Sequence, residues 1–221
     1  MSFLLAIEGG DGAGKATAAA EIARQLIAAG RTATVVSFPR YAETTGGWVL
    51  GEYLAGRLPR PVPPAAAAVL YALDRLESLG LLEAAAAAHD VVVLDRYIAS
   101  NLAYQAAKVR PDEAAALMRW TWALETDSFR LPAPDLSVYL ATPVDLARSQ
   151  IAMKRQRSYT DRTFDENEAD LDLQRRVRDN YAALAAAGWA GRWATVHPVA
   201  EGTMRPPAEI AAEIVAMLPP A

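Results

Sequence analysis

Five short apolar runs are spaced along the chain, at residues 3–8, 32–38, 91–95, 136–141 and 194–197. A strand buried on both faces has no polar side to show, so it reads as a continuous run rich in Val, Leu or Ile. Between these runs, apolar residues recur at helical spacing and predict helices over 17–29, 45–55, 65–87, 99–107, 112–126, 144–155, 166–187 and 208–217. Strands alternating with helices of this length imply parallel strands joined by helical crossovers. The expected fold class is therefore α/β, a five-stranded parallel sheet flanked by helices on both faces. Gly30 and Gly188 follow two of the helices and suit their termination. The proline-rich stretch 59–64 cannot continue a helix and reads as a rigid connector. No repeat and no linker is visible, so residues 1–221 are expected to form a single domain.

Composition narrows the function more than the fold. Charged residues make up 22% of the chain and apolar residues 52%, as in an ordinary water-exposed globular protein. Much of the apolar share is alanine, in runs such as 65–68 and 84–88 that favour helix and need no functional reading. The net charge of −4 argues against a broad nucleic-acid-binding surface, though not against a local basic cleft. Absence of cysteine removes disulfides, thiol catalysis and thiolate-bound zinc, and two histidines make a His-rich metal site improbable. No apolar run reaches membrane-spanning length and no basic leader precedes one, so a cytoplasmic location away from membranes is expected.

The first strand runs directly into Gly9-Gly10-Asp11-Gly12-Ala13-Gly14-Lys15-Ala16-Thr17, and a helix follows. Glycines let successive backbone N–H groups turn inward around phosphate oxygens. The helix start adds the positive end of a dipole, and Lys15 adds a mobile charge for the β- and γ-phosphates. This loop makes nucleotide-dependent phosphoryl transfer the first reading. The hydroxyl usually found after the lysine is missing, because Ala16 stands there and Thr17 comes one place late. Asp11 is then the notable carboxylate, suited to Mg²⁺, to a water-bridged contact or to capping the turn.

The third strand ends in Asp95-Arg96, at the carboxyl edge where open α/β sheets bind ligands. Arg96 suits charge on phosphates in transfer, and Asp95 suits Mg²⁺ or the orientation of Arg96. A strand-end ion pair of structural value alone is the plainer alternative.

Together with Phe38-Pro39-Arg40-Tyr41, Tyr71-Ala72-Leu73-Asp74-Arg75 and Arg96-Tyr97-Ile98-Ala99-Ser100-Asn101, the loop resembles the thymidylate kinase family, in particular its actinobacterial form. The likeness extends through Asn180-Tyr181 and Gly188-Trp189 to nearly the end of the chain. It implies the fold of phosphate-loop nucleoside monophosphate kinases, transfer of the ATP γ-phosphate to dTMP, Mg²⁺ as cofactor and a homodimer. By the same resemblance, residues 9–17 and Arg157 hold ATP. Phe38, Arg40 and Tyr41 would meet the acceptor nucleotide, Arg40 and Tyr41 at its phosphate. Tyr71 would cover the base, Arg75 its edge or phosphate, and Ser100 and Asn101 the thymine edge. Tyr104 would crowd the ribose 2′ position, with Gln105 beside it. Residues 154–165 resemble the family lid, whose Arg155, Arg157 and Arg162 would close over ATP. Glu168, next to Asn167, matches a family glutamate near the acceptor and its metal, making Asp11 and Glu168 the expected metal ligands. Lys15, Arg96, Asp11, Arg155 and Arg162 are the expected catalytic set. Bland readings stand beside these: Tyr71 as a core aromatic, Ser100 and Asn101 as a helix cap, the basic lid as a solvated loop. The rival functions are another phosphate-loop kinase, acting on a different nucleotide or a deoxynucleoside, and a nucleotide-binding regulator without transfer.

Overall fold

Alternate side chains of β1 (Phe3–Glu8) leave the sheet on opposite faces, and both faces are apolar. Leu5 and Ile7 enter a core with Ile22 and Leu26 of α1 (Lys15–Ala28) and Ile210 and Ile214 of α9 (Pro207–Val215). Ala6 joins the opposite core, with Leu82, Leu102, Val177 and Tyr181. The same split separates Val91 and Val93 from Val92 and Leu94 in β3 (Val91–Asp95). With β2 (Ala33–Ser37), β4 (Leu136–Leu140) and β5 (Trp193–Val196), these strands form a sheet in the order β2-β3-β1-β4-β5, every pairing parallel. The structure, a computed structural model, describes residues 2–157 and 170–220.

Helices follow the expected places with three main differences, and one strand pair is added. Helix α1 begins at Lys15 and not at residue 17, because Gly14 takes the left-handed conformation (φ 91°) and caps it. The single helix expected over 65–87 is two, α3 (Pro64–Glu77) and α4 (Leu79–Ala88). They divide at the buried Ser78, whose hydroxyl turns back to the Asp74 carbonyl at 2.8 Å. Helix α6 (Pro111–Ala123) does not simply run on to residue 126 but widens into a π-helical turn at Leu124–Ser128. A small antiparallel pair, β6 (Val199–Ala200) and β7 (Thr203–Met204), was not anticipated. The other helices are α2 (Thr45–Leu54), α5 (Ile98–Ala106), α7 (Val144–Arg157) and α8 (Leu171–Ala186). Asp170 caps α8 by accepting from the Leu173 N–H, and the expected helical residues 166–169 lie outside the described part.

Two close approaches explain small residues near the sheet edge. A Cβ on Gly12 (φ 74°) would fall on the Ala147 carbonyl, so the loop after β1 packs directly on α7. A Cβ on Gly46 would lie 2.5 Å from the Asp74 amide nitrogen, which lets α2 meet α3 backbone to backbone.

Candidate active site

At the carboxyl edge of the sheet the loop after β1 meets the end of β3, helix α5 and helix α8. Asp11 is the point where they join. One of its oxygens pairs with the Arg96 guanidinium. The other accepts from the Tyr104 hydroxyl at 2.7 Å and the Gln174 amide at 2.9 Å. Burial pushes the Asp11 carboxyl up, but Arg96, Lys15 and these hydrogen bonds together hold it below the ordinary carboxylate range. Arg96 lies over the Tyr104 ring at 5.4 Å from its centroid. Its backbone is left-handed (φ 65°), a strained state worth on the order of 1 kcal/mol for a residue with a Cβ. The strain turns its side chain from the end of β3 toward the loop, and the Arg96 N–H is held by the Ile7 carbonyl at 3.0 Å.

Lys15 opens α1 and is only 6% exposed. Its ammonium donates to the Gly10 carbonyl at 2.7 Å. Burial, and then the neighbouring Arg96, lower its pKa to about 7 against the opposing pull of Asp11, Asp95 and Glu8. Ala16 and Thr17 stand exposed on the first turn of the same helix. Behind the loop, Glu8 is fully buried, and burial raises its carboxyl despite the pull of Ser100, Arg96 and Tyr181. It accepts from the Ser100 hydroxyl (2.7 Å), the Tyr181 hydroxyl (3.0 Å) and the Tyr97 N–H (2.9 Å). Ser100 therefore supports β1 from within α5, and its hydroxyl proton is already committed.

A second cluster lies between α3, α5 and the π-helical turn. Arg75 is buried and forms a two-pronged pair with Glu125, at 2.5 and 2.6 Å. Burial works against the Arg75 charge, but Glu125 outweighs it and raises the guanidinium pKa. The Asn101 amide donates to Glu125 at 2.8 Å and to the Ala68 carbonyl at 3.0 Å. Next to Arg75, the buried Asp74 accepts from the Thr44 hydroxyl (2.5 Å) and the Arg40 N–H (3.2 Å), fixing the segment after β2. Burial raises the Asp74 carboxyl against these hydrogen bonds. Arg40 reaches the Ser78 hydroxyl at 3.2 Å. Phe38 is buried against Tyr97, with ring centroids 6.0 Å apart, so it supports the core and is not an open contact surface. Tyr71 is half-buried and Tyr41 is 43% exposed.

The structure thus gathers Asp11, Lys15, Arg96 and Tyr104 into one group, and Arg75 with Asn101 into another. Arg155 and Arg157 fall in the last turn of α7, where side chains lie outside the described part. Arg162, Asn167 and Glu168 lie outside the described residues altogether. Sequence reading passed over Glu8, Glu125 and Gln174. Glu8 had a signal, an acid closing an apolar strand just before the loop, whereas Glu125 and Gln174 sit on helices far along the chain with none. Arg148 and Arg178, also passed over, line a cleft between the loop, α7 and α8.

Among the described residues, no three His, Asp or Glu side chains gather as a metal cage. Asp11 already serves three donors. A Mg²⁺ ion that arrives on nucleotide phosphates and keeps its waters needs no such cage, and it fits a site with one nearby carboxylate.

A glycine loop and lysine at a helix start, set beside an Asp-Arg pair at the carboxyl edge of a parallel sheet, define the class: a phosphate-loop kinase fold. The family model described as Thymidylate kinase matches residues 7–201. The chain is 39% identical over 197 residues to the thymidylate kinase of Mycobacterium tuberculosis, covering 88% of this chain and 91% of that one. Over 214 residues it is 34% identical to the thymidylate kinase of Leifsonia xyli, covering 96% and 92%. It is also 34% identical to the thymidylate kinase of Thermomicrobium roseum, covering 84% and 82%. The chain belongs to the thymidylate kinase family, and so to the phosphotransferases.

Proposed function

We propose that the protein transfers the γ-phosphoryl group of ATP to dTMP, giving dTDP and ADP. The observation that carries this reading is the placing of Lys15 and Arg96 near Asp11 at the phosphate loop, in a chain of this family. An oxygen of the dTMP phosphate forms the new bond to the γ-phosphorus, and the bond from that phosphorus to the β–γ bridging oxygen breaks. The attacking oxygen is already anionic, so no strong general base is required. What the protein supplies is alignment and positive charge between two polyanions. Loop amides and Lys15 hold the donor phosphates. Arg96 faces the transferring group, with Asp11 and Tyr104 fixing its orientation. Arg155, Arg157 and Arg162 extend that charge from the lid, and closure there excludes water as a competing acceptor. Arg40 and Tyr41 meet the acceptor phosphate, Tyr71 covers the base, and Arg75 and Asn101 face its edge. Ser100, through Glu8, and Gln105 stand behind them.

Asp11 and Glu168 are the carboxylates that would lie nearest a phosphate-bound Mg²⁺, which would offset phosphate charge when bound. The protein works as a single-domain subunit of a homodimer in the cytoplasm. No helix among the described residues is long and apolar enough to cross a membrane. An ADP-release assay over dTMP, dUMP, dCMP, AMP, GMP and thymidine tests the function. The expected best acceptor is dTMP; a better one sinks the reading, and nucleotide binding without ADP release points to a regulator.

A further inference from the structure

The amide of Asn101 sits between two acceptors, the Ala68 carbonyl and the Glu125 carboxylate. Only an NH₂ group satisfies both, so its orientation is dictated by its neighbours. Both amide protons are thereby used, and the Asn101 carbonyl oxygen is left buried with no partner. One turn along α5, both amide atoms of the buried Gln105 are also without a partner. Buried polar atoms almost always have partners, and a group of unpaired ones on a single helix face marks a place where a polar ligand completes the set. Glu125 governs the arrangement, since the same carboxylate fixes the Arg75 guanidinium through two hydrogen bonds. It is fully buried on a π-helical turn, a local irregularity often found at functional sites.

We propose that Glu125 is a specificity-determining positioning residue: it holds Asn101 with only its oxygen left to accept and fixes the place of the Arg75 guanidinium, which can only donate, so that the site takes a pyrimidine with N3 protonated and oxygen at C4. This rests on the reading of the protein as a dTMP kinase and names how the base is chosen. Thymine and uracil offer a donor at N3 and an acceptor at C4. Cytosine offers the reverse, an acceptor at N3 facing the Asn101 oxygen and a donor at C4 facing a cation that has none to accept it. Were Asn101 able to turn over, its NH₂ would suit cytosine N3. The carboxylate of Glu125 forbids that turn, because it would bring two acceptors together.

Glu125→Gln tests the proposal, since it keeps the shape and introduces a donor where the carboxylate had only acceptors. The measurement is kcat/KM for dTMP, dUMP and dCMP, beside the wild type. The dTMP-to-dCMP ratio is expected to fall about 10- to 100-fold, the usual effect of one buried hydrogen-bonding group being satisfied or not. The dTMP-to-dUMP ratio should stay unchanged, because those bases differ only by a methyl group. A parallel loss with all three acceptors would show that Glu125 only supports the fold, and it would overturn the proposal. Failure of the underlying dTMP kinase reading appears separately, as a wild type with no preference for dTMP. If the variant does not fold, ¹⁵N NMR of the wild type decides. The Asn101 side-chain NH₂ should keep its exchange protection and chemical shift on dTMP binding; loss of both would show the nitrogen turning to the base and refute the assignment.

Discussion

Binding of a non-hydrolysable ATP analogue at pH 8 is expected to draw roughly one proton from the buffer, and the proton goes to Lys15. Without nucleotide, burial and Arg96 hold this ammonium at a pKa of about 7. At pH 8 that leaves about one molecule in eleven protonated, whereas a lysine facing phosphate returns to its ordinary range near 10.4. The uptake is therefore about 0.9 proton at pH 8 and about 0.1 at pH 6. The analogue's association constant should fall by about tenfold per pH unit above 8, as each unit adds about 1.4 kcal/mol to the cost of charging Lys15. The same shift acts on the protein alone. Between about pH 7 and pH 10.5 the unfolded chain holds the proton and the native state does not, so this group makes stability rise with pH across that window. Titration calorimetry in buffers of different ionisation enthalpy reads the uptake as a slope. The control is Lys15→Arg, which stays charged throughout and should show no uptake from this site. A wild-type slope below about 0.2 proton at pH 8, or one equal to that of Lys15→Arg, would refute the reasoning.

Lys15→Ala should abolish turnover and leave dTMP affinity nearly intact, since Lys15 serves the donor phosphates; equal loss of dTMP binding by calorimetry contradicts that division. Gly46→Ala should destabilise the fold by about 1–3 kcal/mol, because the added methyl meets α3 backbone that has no room to yield. An unchanged urea midpoint would show that α2 and α3 separate freely. Asp74→Asn should cost about 1–3 kcal/mol by weakening charge-assisted bonds from Thr44 and the Arg40 N–H. In a protein of this size that lowers Tm by about 2–4 °C per kcal/mol, read by calorimetry. It should also raise KM for dTMP, because the segment carrying Arg40 and Tyr41 loses its anchor.

The α/β architecture and the phosphate loop were legible in the sequence because their causes are local. Doubly buried strands cannot alternate, and the loop needs glycines and a lysine at fixed spacing beside a helix start. Arg96 was legible as a strand-end charge, since residues at the carboxyl edge of such sheets are placed by topology alone. What tertiary structure decided was which groups remain available. Asp11, open to three roles in the sequence, is held by Arg96, Tyr104 and Gln174, the last 163 positions away. Ser100 is committed to Glu8, and Phe38 to the core. Glu125 has no sequence signal, because an acid on an amphipathic helix ordinarily faces water; only the π-helical turn carries it inward to Arg75 and Asn101. Hydrogen-bond partners distant along the chain are chosen by packing, and packing is not written in any local pattern.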